Sequence, residues 1–391
     1  MNGRSALDRM KTKNFSMILV LIIVSSVSVW FLSYPSSPSI QGIVSKTQSG
    51  LRRLPANMKV EDKGLTVDPM YLQRLGLAPS SSIGRLSGAL LPGKSSSSGL
   101  PAAPSGLDSS ADQVLPSPKM TSGLPVIASG ARPDHFEEAA VLMRSVYNLL
   151  PNYKLVVYDL DLSSSELVLL KKYCNTTWNC EIRKLLFEKY PSHLKYLDIR
   201  SYRPVCIQEM LNTYGAVVWV DDGFYFTEGN LTLSLDRARA SGIQGWPIKY
   251  PTSSFTHQKM FQFFNTDQKH YYFQHLIESS HLILYNTERL AQRVMLPWVK
   301  CALLEECINP PGAQNSGCNY ARRPYFLYSG CHGYDMSALN VLLGMAFSME
   351  ESSYTATQGL FGSLREDKLR AENKTQLSYE VGIGVGLNMK M

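Results

Sequence analysis

The feature that most constrains the fold of this chain is a short apolar run that ends in two carboxylates. The run AVVWV, from Ala216 to Val220, is followed by Asp221, Asp222 and Gly223. Continuous β-branched and aromatic residues are typical of a strand buried on both faces of a sheet. In an open α/β sheet, ligands bind outside the carboxyl ends of the strands, and carboxylate oxygens there can hold Mg²⁺ or Mn²⁺. The alternative is a plain polar turn, since Asp and Gly are common turn residues.

Strand-like and helix-like segments alternate around this run. The predicted strands are 125–128, 154–158, 180–187, 216–220 and 282–285. The predicted helices are 133–150, 163–173, 203–214, 288–307 and 336–349, with a weaker one at 68–77. Such alternation predicts an α/β fold with a largely parallel sheet. Asp159 follows the second predicted strand, where a ligand-binding role is again possible at a strand end.

The N-terminal part predicts a membrane anchor. Residues 15–34, FSMILVLIIVSSVSVWFLSY, carry no charge and are long enough to cross a hydrocarbon core of about 30 Å. Four basic residues precede the run and the next one is Lys46, so the positive-inside rule predicts a cytosolic tail at 1–14. A cleaved signal peptide is the alternative, but its apolar core would end in small residues. This run ends near Trp30, Phe31 and Leu32, which favours an uncleaved anchor.

Residues 35–122 are rich in Ser, Pro and Gly and predict a flexible stem before a folded domain at 123–391. This stem contains GALLPGKS, Gly88 to Ser95, which matches the phosphate-loop pattern. Such a loop works only between a buried strand and a helix N-terminus. Neither flank predicts those elements, so the motif is interpreted as a chance match, which also disfavours a sulfotransferase.

Charge and cysteine usage restrict the possible partners. The net charge of +7 lies before residue 123, because the remainder has 26 basic and 26 acidic residues. Nucleic-acid binding is therefore excluded for the domain. All seven cysteines follow residue 173, which suggests bridges formed in an oxidising lumen. Cys174–Cys180 and Cys301–Cys307 are close in sequence and Cys318–Cys331 could close a loop, although spacing alone does not determine connectivity. Cys206, inside a predicted helix, is the candidate for a buried free thiol. A zinc site is the alternative, but the sequence has no C-x-x-C pair. Sequons at Asn175, Asn230 and Asn373 are compatible with a glycoprotein.

Five motifs carry a resemblance to a known family. They are LVVYDLDLS (Leu155 to Ser163), KYPSH (Lys189 to His193), WVDD (Trp219 to Asp222), WVKCAL (Trp298 to Leu303) and GCHGYDMSALN (Gly330 to Asn340). In this order they resemble a largely uncharacterised animal family of Golgi glycosyltransferase-like type II membrane proteins. Those proteins are similar to nucleotide-sugar glycosyltransferases with the GT-A fold, which implies a mixed, mostly parallel sheet with helices on both faces. The resemblance implies a Golgi membrane protein with a luminal domain that transfers a sugar from a nucleotide sugar to a glycan or glycoprotein.

The resemblance also implies roles for individual residues. Asp221 would be the principal ligand of Mn²⁺ or Mg²⁺ and Asp222 would assist, both beside the nucleotide. His332 would be a late metal ligand, Asp335 would be catalytic, and Asp159 would contact the nucleotide. The simpler interpretations are a loop histidine for His332 and a helix N-cap for Asp335.

Two positions depart from the pattern of the enzymes. Gly223 stands where the D-x-D motif has its second aspartate, and Met336 replaces a glutamine. These departures favour the second hypothesis, a catalytically inactive, membrane-tethered luminal binding protein with the same fold. The retained Asp221, Asp222 and Asp335 favour the enzyme.

Overall fold

The computed structural model describes residues 65–77 and 123–371. The predicted tail and anchor, most of the predicted stem, the Gly88–Ser95 motif and Asn373 lie outside these residues. No helix within the two described ranges has the length and apolar character needed to cross a membrane.

The described chain alternates strands and helices as the sequence predicts. The strands are β1 (Val126–Ala131), β2 (Leu155–Asp159), β3 (Cys180–Lys184), β4 (Ala216–Val220), β5 (Phe224–Phe226), β6 (Ile243–Pro251), β7 (His275–Tyr285) and β8 (Phe361–Ser363). The α-helices are α1 (Pro69–Arg74), α2 (Phe136–Leu149), α3 (Ser164–Tyr173), α4 (Tyr202–Tyr214), α5 (Thr232–Ser241), α6 (Gln258–Phe263), α7 (Glu288–Leu290), α8 (Leu296–Leu303), α9 (Glu305–Ile308) and α10 (Asp335–Ala346).

Six of the strands form one mixed sheet in the order β3-β2-β1-β4-β7-β6. The first four strands of this order are parallel, and β7 and β6 continue the sheet in antiparallel pairings. Strands β5 and β8 form a separate antiparallel pair. The predicted mixed, mostly parallel sheet is therefore confirmed.

Helices cover both faces of the six-stranded sheet, as predicted. Alternate residues of β4 belong to different cores: Val217 and Trp219 lie in the larger one, whereas Ala216, Val218 and Val220 lie in the smaller one. The larger core contains the buried sides of α4, α8 and α10, and the smaller one those of α2 and α5. A strand whose successive side chains point to opposite faces needs apolar residues at every position when both faces are covered.

Local signals determine where several elements begin and end. Helix α3 begins with the predicted capping box, in which Ser163 and Glu166 bond each other's backbone N–H groups. The long helix predicted at 288–307 is interrupted by a π-helical segment, Ala291–Met295, and Pro297 stands in the first turn of the helix that follows. Proline lacks an N–H donor and disrupts a continuous helix, which accounts for the difference.

The three suggested bridges are confirmed as Cys174–Cys180, Cys301–Cys307 and Cys318–Cys331. Cys206 is the buried free cysteine, and burial holds the pKa of its thiol well above the usual value. It behaves as a core side chain rather than a nucleophile.

One segment of the predicted stem packs onto the domain. The weak helix predicted at 68–77 is present as α1, with Asp68 accepting a hydrogen bond from the backbone of Met70. Four leucines of this segment belong to the larger core: Leu65, Leu72, Leu75 and Leu77. Residues 65–77 are thus a folded part of the domain.

Candidate functional site

The parallel strands β1, β2 and β4 end at one edge of the sheet. Strands β2 and β3 lie on one side of β1 in the sheet, whereas β4, the next strand along the chain, lies on the other side of β1. The carboxyl ends of β1 and β4 therefore form the topological switch point of the sheet, where α/β proteins have their ligand crevice. Asp221 and Asp222 directly follow β4, and Arg132 directly follows β1.

Asp221 is buried and its two oxygens accept several hydrogen bonds. Trp219 donates its indole N–H to Oδ1 over 2.7 Å, and Arg203 Nε donates to the same oxygen over 3.2 Å. Oδ2 accepts from Arg200 over 3.1 Å and from a second nitrogen of Arg203. Burial opposes ionisation, but the two guanidinium groups outweigh it and hold the pKa of Asp221 below its usual value.

Arg203 joins Asp221 to Asp335 and forms what we call the buried network. Its guanidinium also donates to the Asp335 carboxylate and, over 2.7 Å, to Ser279 Oγ. The network ties α4, β4, α10 and β7 together. Burial outweighs the attraction of Arg203 at Asp335 and raises the pKa of that carboxyl to about 6. The N-cap interpretation of Asp335 is not borne out, because Tyr334 occupies that position.

Asp222 has different partners, on the other side of the strand end. Arg132 Nε donates to both of its oxygens, over 3.0 and 2.9 Å. The Asp222 side chain is almost fully buried, whereas that of Arg132 is 13% exposed. Burial raises the pKa of Asp222, and Arg132 counteracts only part of this effect.

His135 and Glu138 complete a group with Asp222 that we call, together with Arg132, the switch-point cluster. One ligand-type atom from each of the three residues lies within 4.8 Å of the others. His135 Nδ1 is 3.0 Å from Glu138 Oε2, and both side chains are 39% exposed. His135 precedes α2 and Glu138 lies in its first turn. Two carboxylates and one imidazole are ligands that Mn²⁺ accepts, so the chemistry of the donor set fits a divalent cation.

The structure brings together three of the residues predicted for the site, but His332 is not among them. Asp221 and Asp222 share the end of β4, and Asp335 reaches Asp221 through Arg203. His332 is buried elsewhere, where Nδ1 accepts the His257 backbone N–H and Nε2 lies 3.2 Å from the Ile308 carbonyl oxygen. Both of its nitrogens are satisfied by backbone groups, and the single three-residue ligand set found in the described residues does not include it.

Asp159 lies at the same sheet edge, at the end of β2. Its Oδ1 accepts the Leu162 backbone N–H over 2.8 Å, and the side chain is buried. This contact stabilises the turn that leads into α3. A direct contact of Asp159 with a nucleotide stays a prediction.

The sequence interpretation missed all the cationic partners in the site and two of the possible ligands. Arg132 and His135 were recognisable in principle, because they follow the first predicted strand and parallel strands end at one edge. Glu138 follows His135 at the i,i+3 spacing that places two side chains on one helix face. Arg200 and Arg203 had no comparable signal, since their role depends on how α4 packs against the sheet.

A family model described as a protein of unknown function (DUF1647) matches residues 113–208, which is less than half of the chain. No curated protein matches the sequence.

Similar solved structures include several glycosyltransferases. The apo structure of the bifunctional glycosyltransferase WbbM is 12% identical, covers 61% of this chain and has a TM-score of 0.38; only 39% of the WbbM chain is spanned. Mouse xyloside xylosyltransferase 1 is 10% identical over 60% of this chain and 84% of its own, with a TM-score of 0.34. The mannosyltransferase Ktr4p from S. cerevisiae in complex with GDP is 10% identical over 62% and 74%, with a TM-score of 0.36. Scores of this size do not establish an activity, so the function is inferred from the chain's own residues.

Proposed function

We propose that the domain transfers a sugar from a nucleoside-diphosphate donor to a hydroxyl group of a glycan or glycoprotein, with the help of Mn²⁺ or Mg²⁺. The observation that carries this proposal is the switch-point cluster. It places two half-exposed ligand-type side chains, His135 and Glu138, beside Arg132 and the buried Asp222 at the edge of the sheet where parallel α/β folds bind ligands. The five sequence motifs support the same assignment, because they resemble a family whose members are similar to GT-A glycosyltransferases.

The charges of the cluster suit a cation and a diphosphate together. Asp222 and Glu138 carry two negative charges against the one positive charge of Arg132, so a divalent cation would meet a net negative site. His135, Glu138 and Asp222 would hold the cation, and when bound it would neutralise the departing diphosphate. Arg132 is positioned beside them to offer its guanidinium to a phosphate, a group that arginine binds through two parallel hydrogen bonds.

Asp221 and Asp335 are positioning residues in this proposal. Their carboxylates are buried and bonded to Arg203, and Asp221 also accepts from Arg200 and Trp219. They hold the end of β4 so that Asp222 faces the cluster. The direct roles predicted for Asp221 as a metal ligand and for Asp335 in catalysis stay predictions, and the buried contacts of both residues do not favour them.

The second candidate is a luminal binding protein that keeps the nucleotide site without catalysis. It is favoured by Gly223, which removes the second aspartate of the D-x-D motif, and by the engagement of both Asp221 oxygens. The two candidates share ligand binding and differ in turnover.

Thermal unfolding of the full chain with Mn²⁺ and a panel of nucleoside diphosphates tests the binding site. We expect one nucleotide to raise the unfolding temperature, because a ligand at about 100 times its Kd adds about 2.7 kcal/mol to the stability of the folded state. The shift should require Mn²⁺, because the cation is proposed to bridge the cluster and the diphosphate. Asp222→Asn should abolish the shift. Asp161→Asn, an exposed aspartate beyond the end of β2, is the matched control and should keep it. Failure of every nucleotide to shift the temperature contradicts the proposal.

Turnover then separates the two candidates. Release of nucleoside diphosphate from a nucleotide sugar, measured over a panel of donors, is expected for the enzyme and absent for the binding protein. Glu138→Gln should lower this release, because the cation that assists the leaving group would lose one ligand.

We also propose the Golgi lumen as the location of the domain, with a single-pass type II anchor. The predicted anchor and three disulfides in the domain support this proposal, because such bridges persist in oxidising compartments. Protease protection in microsomes is the test, and digestion of the domain in sealed vesicles would contradict the topology.

A further inference from the structure

A cleft that shares no lining residue with the switch-point cluster lies between the end of β6 and the loop that precedes α10. Its volume is about 510 Å³, and it is lined by Lys249, Tyr250, Tyr320, Ala321, Arg323 and Tyr325. Tyr320 and Tyr325 are 42% and 50% exposed, so their ring surfaces are available to a ligand. Ligand clefts are lined largely by aromatic and apolar side chains with a few polar groups that select the ligand. We call it the aromatic–basic cleft.

The cleft is positively charged, and no acidic side chain among the residues that the structure describes pairs with its cations. Its lining includes two cations and no carboxylate. Within the described ranges, Lys249 and Arg323 contact aromatic rings in place of acids: Lys249 Nζ lies 5.2 Å from the centre of the Tyr250 ring, and the Arg323 guanidinium lies 3.4 Å from that of Tyr325. Arg323 Nη1 also donates to the Ala321 carbonyl oxygen over 2.9 Å. A bound anion would therefore gain two charge-assisted contacts without breaking an ion pair between described residues.

The cleft is held in place by contacts of the loop with the domain. The bridge Cys318–Cys331 closes the loop, and Ser329 N–H donates to the Ser254 carbonyl oxygen over 2.9 Å. The Phe255 ring stacks on Tyr320 with ring centres 5.2 Å apart. A preorganised site loses less entropy when a ligand binds, so exposed rings in this loop suit recognition.

The same loop leads to the start of α10. The Phe255 carbonyl oxygen accepts hydrogen bonds from Gly333 N–H, over 2.9 Å, and from Ser337 Oγ, over 2.7 Å. Gly333 and Ser337 flank Asp335, the residue that Arg203 joins to Asp221. The cleft is thus connected through two hydrogen bonds, one from a backbone N–H and one from a side-chain hydroxyl, to the buried network and through it to the end of β4.

We propose that the aromatic–basic cleft binds an acidic sugar unit, one that carries a carboxylate or a sulfate, of the acceptor glycan. An aromatic ring packs against the apolar C–H face of a sugar ring, and Lys249 and Arg323 pair with its anionic group. A single-stranded nucleic acid also combines stacking with anions. The domain, however, has equal numbers of basic and acidic residues after position 122 and so lacks the net positive charge typical of nucleic-acid-binding domains. The assignment as an acceptor rests on the proposed function, whereas the binding of an acidic sugar does not.

The test is direct binding of defined oligosaccharides to the full chain, measured by calorimetry without nucleotide or metal. The probes are a sulfated heparin hexasaccharide, a hyaluronan hexasaccharide with carboxylates only, and a neutral chitin hexasaccharide. We expect at least one acidic probe to bind, and the neutral probe to bind at least about tenfold more weakly, because each charge-assisted contact contributes more than a neutral one.

Variants locate the site. The double variant Lys249→Gln, Arg323→Gln should bind the acidic probe about tenfold or more weakly than the wild type does. Lys172→Gln is the matched control, because Lys172 also lies near a tyrosine ring, at 6.0 Å, but on α3 outside the cleft. Tyr320→Phe should bind the acidic probe as tightly as the wild type does, because the ring is kept. Tyr320→Ala should bind it more weakly, because the ring that packs against the sugar is lost. Unfolding temperatures of all variants verify that they are folded.

Three outcomes overturn the inference. They are equal affinity for the acidic and neutral probes, equal affinity of the double variant and wild type, and tighter binding of an oligothymidylate of similar charge than of any sugar. If acidic sugars do not bind but nucleotide and Mn²⁺ still stabilise the chain, only the assignment of the cleft is wrong. If acidic sugars bind and no nucleotide does, the cleft stands and the transferase proposal fails.

Discussion

Asp221 and Asp222 are neighbours in the chain but belong to two regions with opposite properties. Asp221 lies in the buried network, where Arg200 and Arg203 hold its pKa low. Asp222 lies in the switch-point cluster, where burial raises its pKa and two neighbours are half-exposed. Both aspartates are buried and bonded to arginines, but only Asp222 lies beside side chains that a ligand can reach, those of His135 and Glu138.

The difference follows from the period of the strand. Successive side chains of a strand point to opposite faces, and Val217 and Trp219 face the larger core while Val218 and Val220 face the smaller one. If this alternation continues past Val220, Asp221 is directed towards α4, which carries Arg203, and Asp222 towards α2, which carries Glu138. Their observed contacts agree with this assignment. A pair of adjacent aspartates at a strand end is therefore two separate sites.

The largest expected effect comes from breaking the buried network. Arg203→Met should lower the free energy of unfolding by about 3–5 kcal/mol, because it leaves Asp335 and Asp221 buried without their shared partner. Urea unfolding at pH 7 measures this. Arg183→Met is the matched control, since its ion pair with Glu181 is partly exposed and should contribute about 1 kcal/mol or less. Equal losses in the two variants would contradict the distinction.

The next effect is a difference in pH dependence between the two faces of the sheet. On the buried-network side, the pKa of Asp335 is raised to about 6 by burial, so the folded state holds this proton more tightly than the unfolded chain does. Asp335 then adds stability as the pH falls from about 6 to about 4. On the other side, His281 packs against Phe224, Trp246 and Phe361, and burial lowers its pKa to about 4. His281 therefore removes stability between about pH 6.5 and pH 4, because only the unfolded state takes up that proton.

Each contribution is at most about 3 kcal/mol by linkage, and the two oppose each other. We expect His281→Phe to lose less stability on acidification than the wild type, and Asp335→Asn to lose more. Urea unfolding at pH 7, 6, 5 and 4.5 measures how the free energy of unfolding of each protein changes with pH. This change, and not the absolute stability, is compared between the variants and the wild type. Parallel curves for the wild type and both variants are the result that this account does not allow.

Most of the fold around these regions was predictable from the sequence. Buried strands such as β4, the capping box of α3 and the three short-range bridges all have local signals. Strands β5 and β8, and the long β6, were missed because their residues contact distant segments and show little periodicity of their own; Trp246, for example, is half-buried against Phe361.

The site was less predictable, for a physical reason. The sequence identified Asp221 and Asp222 but gave both the same role, because the distinction depends on which helix covers each face. His332 was predicted from its place in a motif, whereas its ring is held by two backbone groups far along the chain. Arg203 acts across α4, β4, α10 and β7, and no local pattern encodes such a contact.

The smallest expected effect on stability, and the sharpest on binding, is at Glu138. Glu138→Gln should change the free energy of unfolding by no more than about 0.5 kcal/mol, because the side chain is 39% exposed and its ion pairs are weak at such exposure. The Mn²⁺ concentration that gives half of the nucleotide-dependent stabilisation should nevertheless rise by about tenfold, since one of the three proposed ligands loses its charge. Glu137→Gln, on the adjacent and more exposed residue of α2, should change neither quantity. If Glu138→Gln needs the same Mn²⁺ concentration as the wild type, Glu138 is not a ligand of the cation. Asp222 and His135 would then lack the third ligand. The difference between the two regions would in that case rest on exposure alone.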